Sequence, residues 1–326
     1  MTGRYDSEMM IDGLKWAVSE LIPASINNHL RETIVKTLDF DLVSSWLNQA
    51  TRSNSSYSLI FENGETWLVM NNGMKMKYTS ALNSVSSIVM KYGSFEEVEL
   101  RLCLSNLTND SVFFDVGANV GLYSIAVAMQ FPSARVHAFE PVVSTASAFR
   151  QNLAKNELDD GNVVLNELAL SDADGEAYMT SDFHSSNYIT TSESKYNKTL
   201  IRCTTIDSYV RDNSVDSLDL IKIDVEGHEL KVAKGAEETL MGFRPKVLVE
   251  LNKREFEFYD RRVTDDAEFI DFMSELGYRY CVIDDNDRVV SMNDIGSAKL
   301  ERPWHNYLFH HADAVIANAD HQNYFG

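Results

Sequence analysis

Apolar residues recur every three or four positions along the first fifty residues of the chain. This spacing places them on one helical face, so it predicts two amphipathic helices between Ser7 and about Ala50. The first helix is expected to end at Pro23, because proline cannot continue the helical hydrogen-bond ladder. The apolar positions of the two helices are Met10, Leu14, Ala17 and Leu21, then Leu30, Ile34, Leu38, Leu42 and Trp46.

A β-hairpin is predicted after these helices. The segments YSLIFE and ETWLVM flank Asn63 and Gly64, and an Asn-Gly pair supplies the positive φ angles that a tight hairpin turn requires. A third strand, MKMKYT, follows another turn. Ser94, with Glu97 three positions later, forms a capping box that predicts the start of a helix.

From Ser111 onward, short apolar runs alternate with helical segments. Such alternation is typical of a parallel sheet that is covered by helices on both faces. We therefore predict a doubly wound α/β domain over residues 111–313, with a mostly parallel sheet and an antiparallel edge pair formed by RYCVIDD and NYLFHH. Residues 1–110 form an appended helical and hairpin region, a candidate cap or oligomerisation surface, and residues 314–326 form a tail.

A glycine-containing loop follows the first strand of this domain. Gly117 and Gly121 allow a tight turn and close approach to a ligand, and the next helix begins with free N–H groups that suit a carboxylate or phosphate. A dinucleotide fingerprint would need glycine where the chain has Asn119 and Leu122. The loop therefore indicates a nucleotide-type ligand other than NAD, with an ordinary strand-to-helix turn as the alternative.

The second strand ends in an acidic residue, Glu140, which lies 25 positions after Asp115. Ligands of open α/β sheets bind at the carboxyl ends of the strands, where an acidic side chain can accept both hydroxyls of a ribose. We expect this role for Glu140; the alternative is a solvated loop acid.

Five segments together resemble the FkbM family of S-adenosylmethionine-dependent methyltransferases. They occur in the family's order and spacing and span about residues 95 to 255. The segments are DVGANVGLYS, HAFEP, NELALSD, CTTIDSYV and LIKIDVEGHELKVAKGAEE.

The resemblance implies a Rossmann-like class I methyltransferase fold and S-adenosyl-L-methionine as the cofactor. It also implies O-methylation of a hydroxyl on a sugar, a glycan or a small natural product. Glu140 would again bind the ribose, Ala169 and Asp172 would border the adenine, and Asp224 would contact the cofactor. The loop residues that the resemblance assigns to the methionine end are Asp115, Gly117, Ala118, Asn119 and Gly121.

Charged residues crowd the end of the fourth strand. Lys222, Asp224 and Glu226 share one face if the extended backbone continues to residue 226. Asp224, Glu226 and His228 are the candidate catalytic residues, and His228 has the intrinsic pKa of a general base near neutral pH. The base stays open between His228, Glu226 and a substrate-assisted route. The alternative is a structural network in which Lys222 neutralises its neighbours, with His228 at the surface.

The acceptor site is predicted from polar groups around this strand end. Glu250 closes the fifth strand and could join Asp224 and Glu226 in a cluster that binds substrate hydroxyls; no spacing requires a metal, so none is predicted. The polar stretch 182–199 is expected to be a loop without a packed core that frames the acceptor, through Ser185 and Asn187, together with the amino-terminal helices. A plain surface loop is the alternative.

Composition restricts the class of partner. Lys and Arg number 29 and Asp and Glu number 49, so the net charge is −20, which disfavours nucleic acid and anionic membranes. The three cysteines lie far apart and form no disulfide or zinc pattern, and no secretory signal or run of about 20 apolar residues occurs. These features lead us to expect a cytoplasmic protein with a small-molecule or glycan acceptor.

Two other functions are compatible with the predicted fold. An NAD-dependent oxidoreductase lacks support, because the glycine triplet is incomplete and no Tyr-x-x-x-Lys pair occurs in the chain. A ligand-binding protein that has lost catalysis is disfavoured, weakly, by the intact acids Asp224, Glu226 and Glu250.

Overall fold

The described part of the chain falls into two compact units. The units comprise residues 1–95 with 325–326, and residues 96–324. Both helices predicted before residue 50 lie outside the described residues, as do Ser94 and Ser185. The computed structural model describes residues 57–62, 65–78, 85–86, 95–158, 161–181, 187–252, 266–302, 304–314 and 316–317.

The first unit contains the predicted hairpin. Strand β1 (Tyr57–Glu62) pairs antiparallel with β2 (Glu65–Met70), with Glu62 opposite Glu65, and β3 (Lys75–Lys77) pairs with the far side of β2. Trp67 and Leu68 are buried on β2, as the apolar content of ETWLVM leads one to expect.

The second unit is built on an eight-stranded sheet with the order β14-β13-β15-β12-β11-β4-β5-β6. The five strands from β12 to β6 are parallel to one another, which confirms the doubly wound, mostly parallel, Rossmann-like sheet. The parallel strands are β4 (Val112–Val116), β5 (Arg135–Phe139), β6 (Val163–Asn166), β11 (Leu220–Ile223) and β12 (Lys246–Asn252).

The other end of this sheet is antiparallel. Strand β15 (Trp304–His311) lies between β12 and β13 (Tyr278–Ile283) and runs antiparallel to both, and β14 (Val289–Ser291) forms the edge. The predicted pairing of RYCVIDD with NYLFHH is therefore confirmed, although β15 is an inner strand.

Helices cover the sheet because the strands are apolar on both faces; every residue of β4 and β11 is buried. A 3₁₀ helix spans Met292–Ser297. The α-helices of this unit are α1 (Glu97–Ser105), α2 (Leu122–Gln130), α3 (Val143–Lys155), α4 (Ile206–Asp212), α5 (Glu229–Lys234), α6 (Glu237–Phe243) and α7 (Asp266–Glu275).

Helix α1 differs from the prediction in two ways. It belongs to the second unit, whereas the sequence analysis assigned it to the appended region 1–110. Its N-cap is Glu96, which has a φ of 48° and no side-chain cap hydrogen bond, so the capping box at Ser94 is wrong about where the helix begins. The charge of Lys222, which is remote in sequence, acts on Glu96, and no local motif could show that interaction.

A second, four-stranded sheet has the order β7-β10-β8-β9 and corrects one further expectation. Residues 163–170 divide between β6 in the large sheet and β7 in the small one. The stretch 182–199 was expected to lack a packed core, yet it contains β9, and Tyr188 is only 1% exposed. The strands are β7 (Ala169–Leu170), β8 (Gly175–Thr180), β9 (Ile189–Thr190) and β10 (Lys198–Thr204).

Candidate functional site

A cleft lies at the carboxyl ends of β4, β5 and β11. This is the edge at which ligands bind in open α/β sheets. The small sheet supplies a further wall of the cleft, which is largely apolar. The predicted site residues that line the cleft are Gly117, Asn119, Glu140, Ala169, Asn187, Asp224, Glu226 and His228.

The loop after β4 is shaped by close contacts within the protein. Gly117 has a φ of 79°, and a Cβ atom there would lie 1.9 Å from the carbonyl oxygen of Asp224. Gly121 has a φ of 92°, and a Cβ atom there would lie 2.1 Å from the ring of Phe149. The N–H groups of Gly117 and Ala118 both donate to the carbonyl of Phe139, at 3.0 Å. These two glycines therefore allow the loop to pack on its neighbours, rather than serving only a ligand.

Asp115 of β4 anchors the helix that follows this loop. Its Oδ2 accepts hydrogen bonds from the N–H of Ser124 at 3.1 Å and from the hydroxyl of Ser124 at 2.6 Å, within the first turn of α2. Burial raises the pKa of Asp115, while the charge of Lys222 and the bonds from Ser124 act in the opposite direction. Asp115 is 1% exposed and lies outside the cleft lining, as do Ala118 and Gly121. For this residue the structure shows a helix-anchoring role.

Glu140 is a buried acid, 7% exposed, that lines the cleft directly after β5. Its Oε2 accepts the N–H of Asn119 at 3.0 Å, and its Oε1 accepts the N–H of Val142 at 2.9 Å. Burial raises the pKa of Glu140 to about 7, although the two backbone donors act to lower it. Each carboxylate oxygen keeps a further lone pair, so the anchored group can still accept ligand hydroxyls.

Lys222 and Asp224 form an ion pair at the end of β11, with Nζ and Oδ2 3.0 Å apart. The Lys222 side chain is only 8% exposed and its ammonium lies 4.5 Å from the ring centroid of Tyr123. Burial alone would lower the pKa of Lys222, but the charges of Asp224, Glu96 and Asp115 outweigh it and raise the pKa. The predicted neutralising role of Lys222 is present, and Asp224 also lines the cleft.

The backbone turns before it reaches Glu226. Strand β11 ends at Ile223, and Glu226 and Gly227 have φ angles of 56° and 97°. The expectation that residues 222, 224 and 226 share a strand face is therefore wrong for Glu226, although its side chain still lines the cleft. Glu229 holds this turn, because its Oε1 accepts the N–H groups of Gly227 at 2.8 Å and Val225 at 3.3 Å.

His228 is the N-cap residue of α5 and lines the cleft. Its Nε2 lies 2.9 Å from the hydroxyl oxygen of Ser171. Burial, followed by the charge of Lys231, lowers the pKa of His228 to about 4, against a smaller opposite effect from Asp172. The imidazole is therefore neutral near pH 7, and the surface alternative considered for His228 does not describe its position.

Glu250 lies among acids rather than on the cleft surface. Burial, then the charges of Asp224, Glu96 and Glu226, raises the pKa of Glu250 well above its ordinary range. The predicted proximity of Glu250 to Asp224 and Glu226 is thus present. In the described part of the chain, no group of three or more His, Cys, Asp or Glu side chains is arranged to hold a metal ion.

The last two predicted site residues differ in whether they line the cleft. Asn187 lines the cleft beside Met179 and Ile189 of the small sheet. Asp172 lies outside the lining; its carboxylate accepts a hydrogen bond from Ser171 at 3.0 Å and is 3.7 Å from the ammonium of Lys231. Its predicted contact with adenine therefore has no support from the cleft geometry.

Residues 115–280, half of the chain, match the sequence profile of the methyltransferase FkbM domain. The chain belongs to the FkbM methyltransferase family.

Two curated methyltransferases are similar to part of this chain. The hexuronic acid methyltransferase AglP of Haloferax volcanii is 29% identical over 157 residues, which are 48% of this chain and 62% of AglP. The 31-O-demethyl-FK506 methyltransferase FkbM of Streptomyces tacrolimicus is 38% identical over 69 residues, which are 21% of this chain and 25% of that protein. The matched region is therefore less than two thirds of either relative.

Among solved structures, the methyltransferase FkbM from Methylobacillus flagellatus is similar with a TM-score of 0.42 and 12% identity. The match covers 92% of this chain and 58% of that chain. Within the described residues, no helix is long and apolar enough to cross a membrane.

Residues of three of the FkbM motifs contact one another: NELALSD, CTTIDSYV and LIKIDVEGHELKVAKGAEE. Thr205 caps α4 by accepting the N–H of Ser208, and Asp207 caps α6 by accepting the N–H groups of Glu238 and Thr239. A Cβ atom at Gly235 would lie 2.0 Å from the carbonyl oxygen of Ser171. Several motif residues therefore hold the site together without lining it.

The supporting roles of three residues were not predicted from the sequence: Ser171, Glu229 and Glu96. Glu229 could have been found, because an acid in the first turn of a helix commonly accepts the free N–H groups there. The contacts of Ser171 with His228 and of Glu96 with the Lys222 charge join segments distant in sequence, and no local signal marks them.

Proposed function

We propose that this protein is an S-adenosylmethionine-dependent methyltransferase that acts on a hydroxyl of a sugar, a glycan or a small natural product. The observation that carries the proposal is the anchored carboxylate of Glu140 in the cleft. Family membership supports methyl transfer, and the geometry of Glu140 supports a nucleoside-type cofactor.

The lining of the cleft fits the parts of this cofactor. Glu140 would accept the two ribose hydroxyls, for which its oxygens keep lone pairs. The apolar wall would receive the adenine, and the loop at Gly117 and Asn119 would hold the methionine end, as the family resemblance implies. The residues of that wall are Phe139, Val142, Leu170, Met179 and Ile189.

The acids of the cleft suit a cationic ligand. Asp224 and Glu226 both line the cleft, and Asp224 is held by Lys222 at 3.0 Å. When bound, the cofactor supplies a methyl carbon that is activated by a sulfonium. The protein then has to align an acceptor hydroxyl and accept its proton. His228 is the base we favour, because it lines the cleft and its neutral imidazole is free to accept a proton, although burial makes it a weaker base than the intrinsic pKa of histidine predicts.

The acceptor class is inferred from relatives and from the polar side of the cleft. One relative is named for a hexuronic acid and another for a demethyl form of FK506. Asn187 and Glu226 offer polar atoms near His228, and we propose that they contact the acceptor. With a net charge of −20, nucleic acid is not the proposed acceptor.

Equilibrium dialysis with radiolabelled S-adenosylmethionine tests the cofactor assignment. The wild-type protein should bind, and Glu140→Ala should bind at least about tenfold more weakly, because hydrogen bonds to a charged group contribute about 1.5–3 kcal/mol each. Arg150→Ala is a matched control, since Arg150 pairs with Glu167 away from the cleft lining. No binding by folded wild-type protein would reject the proposal.

A second measurement separates catalysis from binding alone. Metabolites and glycans from cells with and without the protein should differ by one added methyl group on a hydroxyl-bearing species. Binding of the cofactor without any methylated product would favour the silent ligand-binding alternative.

A further inference from the structure

Ser171 links His228 to Asp172 at the side of the cleft. The Oγ atom of Ser171 lies 2.9 Å from His228 Nε2 and donates its proton to Asp172 Oδ1 at 3.0 Å. The ammonium of Lys231 lies 3.7 Å from Asp172 Oδ2. His228 and Ser171 are 57 positions apart in sequence, so only the fold creates this chain of contacts.

The position of Ser171 is rigidly set. Its N–H donates to the carbonyl of Thr204 at 2.9 Å, next to the ladder that joins β7 to β10. Gly235 packs against the carbonyl of Ser171 so closely that a Cβ atom would lie 2.0 Å from the oxygen. The backbone of Ser171 is therefore fixed on both sides, and its hydroxyl lies 2.9 Å from His228 Nε2.

The protons available to Asp172, Ser171 and His228 determine which ring nitrogen of His228 carries a proton. A serine hydroxyl has one proton, and the carboxylate of Asp172 competes with His228 Nε2 for it. Burial would raise the pKa of Asp172, but the bond from Ser171 and the charge of Lys231 outweigh it and lower that pKa, so the acid is ionised and acts only as an acceptor. Because an ionised acceptor forms the stronger hydrogen bond, Ser171 then donates to Asp172 and accepts from His228 Nε2. In a neutral imidazole this leaves Nδ1 with a lone pair.

We propose that Ser171 and Asp172 are positioning residues that fix His228 as the Nε2–H tautomer, so that Nδ1 is the atom that accepts the proton of the acceptor hydroxyl. This inference rests on the proposed function for its catalytic part only. Nδ1 makes no hydrogen bond with the described part of the chain, and His228 lines the cleft.

Methyl transfer by this route is a simple displacement. The acceptor oxygen forms a bond to the methyl carbon, the carbon–sulfur bond breaks and its electron pair stays on sulfur, and the hydroxyl proton moves to Nδ1. The imidazolium that results donates through Nε2 to Ser171, and the negative charge of Asp172 stabilises it. The proton then leaves Nδ1 for solvent.

Nitrogen-15 NMR of histidine-labelled protein tests the tautomer directly, without cofactor or acceptor. His228→Gln identifies the signal. We expect a neutral ring with the proton on Nε2 in the wild type. Asp172→Ala frees the Ser171 proton to donate to Nε2, so a measurable share of His228 should become Nδ1–H. Ser208→Ala is the control, since that buried serine also donates to an aspartate, Asp174, but does not contact His228.

Kinetics then test the catalytic part. Ser171→Ala and Asp172→Ala should lower kcat by about tenfold or more, with KM for the acceptor and the affinity for S-adenosylmethionine nearly unchanged. A wild-type signal from the Nδ1–H tautomer would overturn the inference, as would unchanged kcat in both variants. If either variant does not fold, the wild-type spectrum still decides. Failure of the cofactor-binding test rejects the proposed function separately, because the tautomer is measured in the free protein.

Discussion

Gly117 and the carbonyl group of Asp224 are in direct contact, and this contact joins the loops after β4 and β11. A Cβ atom at residue 117 would lie 1.9 Å from the Asp224 oxygen, and the φ of 79° is unfavourable for any other residue. The two loops supply the cleft with Asn119 on one side and Glu226 on the other. A side chain at residue 117 should therefore push apart the two loops that form the site.

Gly117→Ala should lower the free energy of unfolding by about 2 kcal/mol or more, because backbone strain and a clash with backbone act together. Gly277→Ala is the matched control: its φ is 83°, and its nearest atom would be the side-chain Nε2 of His311 at 3.3 Å. Urea unfolding of the two variants measures the difference. Equal losses would show that strain alone, without the Asp224 contact, determines the effect.

The affinity for S-adenosylmethionine should rise with pH through about 7. The pKa of Glu140 is raised to about 7 by burial, so the carboxyl is protonated below that pH and accepts hydroxyls with both oxygens only above it. Calorimetric titrations at several pH values would measure this. Glu140→Gln cannot ionise and should bind weakly with little pH dependence; a parallel pH profile in that variant would contradict the assignment.

The stability contribution of Glu229 should fall as pH rises. Burial raises the pKa of Glu229 to about 7 from 4.5, so between these values the folded protein binds the proton more tightly than the unfolded chain. The contribution is fully present below about pH 4.5 and is lost by about pH 7. Glu229→Gln stays neutral and keeps an acceptor for Gly227 and Val225, so its stability relative to wild type should increase with pH. Unfolding by urea across this range tests the sign; a constant difference would refute it.

Lys222→Met should be strongly destabilising. It leaves Asp224, Glu96 and Asp115 without the positive charge that acts on all three, and loss of one partner of a buried pair typically costs about 3–5 kcal/mol. Arg135→Met is the control, because Arg135 pairs with Asp216 where both side chains are exposed, and we expect little change. Chemical denaturation of both variants provides the comparison, and similar stabilities would show that Lys222 is not needed to balance the acids.

The sheet and the cofactor side of the site could be predicted because their signals are local. A buried parallel strand is an apolar run, and the end of the run marks the edge where ligands bind, so Asn119, Glu140 and Asp224 could be placed on the cleft from sequence. The glycines in the loop after β4 were expected to allow a tight turn and close approach to a ligand, but the nearest neighbour of Gly117 is protein backbone and that of Gly121 is the ring of Phe149.

The small sheet and the surroundings of His228 could not be predicted in the same way. Tyr188 lies in a polar stretch, yet it is 1% exposed, and its N–H and carbonyl groups bond to Thr180 of β8. Glu226 leaves the strand face because its backbone has a positive φ. The residue types of the motif do not indicate that conformation. The Ser171–His228 contact depends on how two distant segments fold together.

Because β15 lies between β12 and β13, the large sheet can be completed only late in the synthesis of the chain. In the described strand pairings, β13 and β14 join the sheet through β15 alone, and β15 spans residues 304–311. A ribosome that has released the chain only as far as β14 therefore presents β12 as an open edge, with the β13–β14 hairpin unattached. Until residue 311 emerges, that edge is available for pairing with another nascent chain, so premature termination before β15 should favour aggregation over a smaller folded enzyme.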